Sequence, residues 1–168
     1  MNFIPNPLHP ALVHFPIALI LLGTVVAITT VFIRRWHLPW LTAGLLGLGA
    51  MGAVAAAWSG EEAADAAVMD LSPQGEQIIE KHEEWGKRTR NIALIAAAAA
   101  VTSVALGKFP RASRITAGLA ALAAIGASFC VAEAGHYGGK LVYQYGAGMQ
   151  PDAEKPDGAL SPDHKPND

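Results

Sequence analysis

A chain of 168 residues is the size of one domain, and 52% apolar against 15% charged residues is too little charge for an ordinary water-soluble globule. A net charge of -2 with no basic run argues against a nucleic-acid partner. The charges are also clustered, because Asp, Glu, Lys and Arg are absent before Arg34 and from 38–60, 91–107 and 115–132. Each charge-free run is long enough to cross a hydrocarbon core of about 30 Å as a helix.

The N-terminus lacks Lys and Arg, a poor start for a cleaved signal peptide, so the first apolar segment is expected to stay in the mature protein. That segment spans 14–33 and ends at Arg34-Arg35. Pro16 lies too deep for a first turn that begins at Pro10, so the helix should kink or restart there. A second span covers 38–59. The connection Arg34–His37 is short, which makes the two an antiparallel hairpin. Trp36 and Trp40 suit one interfacial aromatic belt and Trp58 the other.

The stretch 60–90 reads as an extramembrane helical hairpin. Ser59 with Glu62 forms a capping-box pattern for a short amphipathic helix ending near Asp70. Ser72 and Pro73 read as N-cap and first residue of the next helix, which continues through His82 to Leu106. Gly86 is its weak point. The third span, 91–107, contains Ala96–Ala100, and the second carries Gly49, Ala53 and Ala57 at helical spacing. Small residues let helices approach closely in lipid, and that plain packing reading is preferred to cleared space for a flat ligand.

The fourth span covers 115–137. The apolar piece Gly138–Gly146 is too short to cross and should fold back as a lip. A tail over 150–168, rich in Pro, Asp and Lys, should be disordered. The expected fold class is therefore all-α: an integral membrane four-helix bundle over 1–149, with an extramembrane helical hairpin between helices two and three.

In an up-down-up-down bundle, His9, His14, His82 and His136 fall near one membrane face. Ionisable groups at the edge of a membrane bundle make that face the expected functional site. Five residues of regular helix turn the rings of His9 and His14 roughly 140° apart, so an undistorted helix cannot offer both to one ion. The plainer reading of each is an interfacial histidine with water on one nitrogen. His82 lies in Glu80-Lys81-His82-Glu83-Glu84, where the neighbouring charges read as a solvated helix face, and no zincin spacing follows. Glu133 lies one turn before His136 and could pair with it, bind metal, or bridge to Lys87, Arg88 or Lys140.

Three function classes follow. The first is a membrane cytochrome holding haem b on His14 and His82, with His136 as substitute and Lys87 and Arg88 for the propionates. It would pass electrons between quinone and an extracytoplasmic redox protein. The second is a zinc, copper or iron ion held by His9, His14, His82 and His136 with Glu83 or Glu133. The third is a non-catalytic subunit or assembly factor that binds a partner through Gly60–Arg90. A stand-alone enzyme is not expected. The lone Cys130 reads as an apolar filler, and without CxxC or CxxCH an iron–sulfur cluster or covalent haem is disfavoured. No GxSxG or phosphate loop occurs.

Two motifs, His9-Pro10-Ala-Leu-Val13-His14-Phe15-Pro16 and Gly138-Gly139-Lys-Leu141-Val142-Tyr143-Gln-Tyr-Gly146-Ala-Gly148, resemble a bacterial membrane-protein family, domain of unknown function 2231 (DUF2231). The stretches Ser59–Ala63 and Ile79–Glu84 look like one branch of it. The resemblance runs from Leu8 to Met149. It implies four transmembrane helices, and relatives fused to Rieske or cytochrome c modules point toward electron transfer. It also implies that the positions matching His14 and His82 are the functional pair. The expected location is the bacterial inner membrane, with the bilayer as partner and a homo-oligomer possible. The short loops carry Arg34, Arg35, Lys108, Arg111 and Arg114 and no acid, which places them in the cytoplasm and both termini outside.

Overall fold

The computed structural model describes residues 9–33, 35, 37–68 and 71–147. Every regular element among them is helical: α1 (His9–Leu12), α2 (His14–Phe32), α3 (Leu38–Val68), α4 (Pro73–Ala105) and α5 (Pro110–Tyr145). The four long helices form a ring in which α2 packs on α3 and α5, and α4 packs on the same two. The expectations for Arg34, Trp36, Asp70, Gly148 and the 150–168 tail lie outside the described residues.

The core is made of alanine. Ala27, Ala50, Ala93, Ala96, Ala120, Ala124 and Ala127 are buried, with Ile20 and Leu46 the large exceptions. Large apolar side chains point outward instead, among them Leu22, Val25, Phe32, Met51, Ile95, Leu122 and Phe129. Water would penalise such a surface, whereas lipid accepts it and leaves close backbone approach as the cohesive force. The helices α1–α2 (His9–Phe32), α3 over Leu38–Glu61, and α5 are long and apolar enough to cross a membrane. This is a helical membrane bundle. Trp40 and Trp58, both exposed on α3, lie about 27 Å apart along the helix, near the thickness of the hydrocarbon core.

Buried hydroxyls hold the ring together. Thr24 Oγ1 donates to the Ile20 carbonyl at 2.8 Å and also meets the Ala124 carbonyl and Ser128 Oγ on α5. Thr30 and Thr42 join α2 to α3 at 2.9 Å. Ser103 and Ser113 each donate to the other's carbonyl at 2.9 Å, tying α4 to α5.

The helix starts follow local chemistry. Ser72 caps α4 by accepting from the Gly75 N–H, with Pro73 in the first turn, as the Ser-Pro pair predicts. Gly86 does not interrupt that helix. The boundary between α1 and α2 falls at Val13, three residues before Pro16, which has no N–H for the Leu12 carbonyl.

Two expectations are corrected. The second span was expected to end at Ser59, with a separate amphipathic helix after it, but α3 runs unbroken to Val68. Ser59 Oγ bonds back to the Ala56 carbonyl at 3.1 Å rather than capping a new start. The flanking alanines are strong helix formers, and one glycine costs only about 1 kcal/mol. The lip over Gly138–Gly146 is likewise absent, because α5 continues to Tyr145 and stops where Gly146 turns left-handed at φ 69°. Packing outweighs the two glycines: Leu141 is buried, and Gly138 lies against another helix.

The helix α4 divides into a polar half and an apolar half. Its apolar run from Asn91 to Ala105 is about 22 Å long, and it is not among the three helices that qualify as spans.

Candidate functional site

At the end of the ring where α3 finishes and α4 begins, α1 packs on α3 and brings His9 to the bundle. The His9 ring meets the His82 ring of α4 edge to face, with centres 6.0 Å apart and planes at 86°. His9 Nδ1 donates to the Ala56 carbonyl at 3.0 Å, with Ser59 Oγ 3.2 Å away. His82 Nδ1 donates to the Ala134 carbonyl of α5 at 2.9 Å. A carbonyl only accepts, so each Nδ1 carries a proton. Neither Nε2 has a hydrogen-bond partner among the described residues. Metal-ligating histidines are often fixed in a comparable way, by a backbone carbonyl on the outer ring nitrogen.

Glycines make the space for both rings. A Cβ at Gly60 would lie 3.0 Å from His9 Cε1, and one at Gly138 would lie 3.1 Å from His82 Cε1. At Gly139 a Cβ would meet nothing within 4 Å. Gly138→Val is therefore expected to push the His82 ring off the Ala134 carbonyl while leaving helix content unchanged. The check is the imidazole Nδ1–H resonance in nitrogen-resolved NMR. It should persist in Gly139→Val and vanish in Gly138→Val.

The other residues singled out from the sequence are placed as follows. His14 is exposed, and its Nδ1 takes the Pro10 carbonyl one turn back at 2.8 Å. His136 is exposed and packs on Tyr137, ring centres 5.3 Å apart. Glu83 pairs with Lys87 at 2.6 Å, and Glu84 with Arg88. The Glu83 carboxylate holds the Lys87 ammonium above its ordinary pKa through that hydrogen bond and its charge. Glu133 is half-buried on α5. Among the described residues, no three His, Cys, Asp or Glu side chains gather as a metal-binding group.

Sequence reasoning did not single out the His9–His82 pair or the Lys81–Tyr137–Lys140 cluster. In that cluster the two ammoniums stand 5.7 and 5.4 Å from one ring centre. Lys81 adjoins His82 in the sequence, and Lys140 lies two residues past Gly138. The signal that could have found it was the helix continued past Tyr137, which sets Lys140 one turn after that ring.

Residues 5–151 match the family model described as predicted membrane protein (DUF2231). No curated protein and no solved structure matches the chain.

Proposed function

The chain belongs to this DUF2231 family of predicted membrane proteins, and from that premise we propose that it holds haem b between His9 and His82 and takes part in membrane electron transfer. One observation carries the proposal: two imidazoles from different helices, each anchored through Nδ1, with both Nε2 atoms left unpartnered among the described residues. The ring centres stand 6.0 Å apart, edge to face, so a shared ion would require the two rings to turn their Nε2 atoms toward it.

Haem is preferred to a bare ion by ligand number. Zinc takes three or four protein ligands, and no third joins this pair among the described residues. A haem would need only these two imidazoles from the protein, and once bound it would supply one-electron chemistry. The protein's own residues fix the two imidazoles through Ala56, Ser59 and Ala134. Lys81 and Lys140 suit the propionates better than Lys87 and Arg88, which are engaged with Glu83 and Glu84. A single zinc, copper or iron ion on the same two nitrogens, completed by water, is the second reading.

Four crossings complete the proposal. Leu94, Ile95 and Val101 are exposed on the apolar half of α4, which favours lipid around it. The acid-free loops with Arg35, Lys108 and Arg111 favour a cytoplasmic position for that end. The imidazole pair and both termini would then face outward from a bacterial inner membrane, where a quinone or an extracytoplasmic redox protein could exchange electrons.

The test is an absorption spectrum of detergent-purified protein from haem-replete cells, oxidised and then dithionite-reduced, with metal analysis on the same sample. A Soret band with sharp reduced α and β bands is expected. A featureless spectrum with stoichiometric metal would favour the second reading. Neither signal would reject both and leave the partner-binding subunit.

A further inference from the structure

At the opposite end of the bundle from the histidines, an open groove of about 310 Å³ lies between the end of α2 and the start of α5. Thr30, Val31, Phe32, Ala117 and Arg114 line it. Phe32 is 81% exposed and Val31 40%, so the groove has an apolar wall on its outer side. The Thr30 hydroxyl is already engaged with the Val26 carbonyl and Thr42. Arg114 is exposed and has no acid or hydrogen-bond partner among the described residues.

The charge at this end has one sign. Arg35, Lys108, Arg111 and Arg114 gather around the two short connections, and no Asp or Glu occurs in 1–60 or 91–132. A guanidinium beside an apolar wall, in a field with no internal counter-charge, complements an amphiphile whose head is anionic and whose tail is hydrocarbon. We propose that this groove binds an anionic phospholipid, its phosphodiester on Arg114 and an acyl chain along Val31, Phe32 and Ala117. The site is independent of the histidine pair.

A zwitterionic lipid carries the same phosphodiester but adds an ammonium, which the surrounding cations disfavour. Preference for net negative headgroups is therefore the signature, and it separates the proposal from general solvation by lipid.

Native mass spectrometry of the purified protein, titrated with phosphatidylglycerol and with phosphatidylcholine of the same chains, tests it. The wild type should retain phosphatidylglycerol in preference to phosphatidylcholine. Arg114→Gln should weaken that retention roughly fivefold, the scale expected for one basic residue at a membrane surface. Arg114→Lys should keep most of it. Arg90→Gln, the same charge change at the other end, should leave it unaltered. Equal retention of the two lipids, or equal loss in Arg114→Gln and Arg90→Gln, would overturn the proposal. Size-exclusion profiles of the variants separate loss of lipid from loss of fold.

Discussion

His82→Ala should remove haem from the purified protein, and His9→Ala should do the same, while His14→Ala and His136→Ala keep a normal six-coordinate spectrum. The asymmetry follows from placement. His9 and His82 meet edge to face with ring centres 6.0 Å apart, whereas His14 and His136 are exposed and engaged locally. Loss of an outer partner of a ligating histidine weakens metal sites about 10–100-fold, so loss of the ligand itself should cost more than about 100-fold. Residual haem in either alanine variant should be five-coordinate and high-spin, with the reduced α and β bands blurred. Retention of the full six-coordinate spectrum in His9→Ala, with its loss in His14→Ala, would transfer the ligand role to His14 and refute the pairing.

Gly49→Leu should destabilise the bundle strongly. A Cβ there would lie 3.1 Å from Ile20 Cγ1, 3.3 Å from the Ile20 backbone nitrogen and 3.4 Å from Leu19 Cβ. A side chain can swing away, but a backbone nitrogen moves only with its helix, so α2 and α3 must separate. Ile20 is 1% exposed, so no slack exists on the other side. Overpacking of this kind costs about 1–3 kcal/mol or more, several degrees in a thermal melt of the detergent-solubilised protein. Gly44→Leu and Gly47→Leu make the comparison sharp. They sit on the same helix, and a Cβ at either meets nothing within 4 Å. A melt that drops equally for all three would assign the effect to helix propensity rather than to the α2–α3 contact.

Much of the architecture was legible because lipid imposes a simple rule. A helix that crosses it must be free of charge for about 20 residues, and the runs up to Ile33, over 38–60 and over 115–132 meet that rule in bare text. Ser72-Pro73 and Pro16 were equally readable, since capping and a missing N–H are local chemistry. Ser59 and Gly138 were misread as boundaries because local signals were weighed without their neighbours. Ser59 spends its hydroxyl on Ala56 and lies beside His9, and Gly138 is a contact point for His82.

The imidazole pair was hidden for a geometric reason. Helical periodicity states that His9 and His14 diverge, but not which of them turns inward. That depends on where α3 lies, because Val13 itself is helical and α1 and α2 stay in phase. The sequence also cannot show that a tyrosine ring on α5 would collect a lysine from α4 together with its own.

The alanine interior has a thermodynamic consequence. When a water-soluble bundle opens, its buried apolar surface meets water, and the resulting gain in heat capacity bends the stability curve into a dome. Here Ala93, Ala96, Ala120 and Ala124 would open onto acyl chains, which hydrate nothing. Helix separation within the bilayer should therefore carry a heat-capacity change close to zero. Its free energy should fall almost linearly with temperature, and the bundle should show no tendency to come apart in the cold.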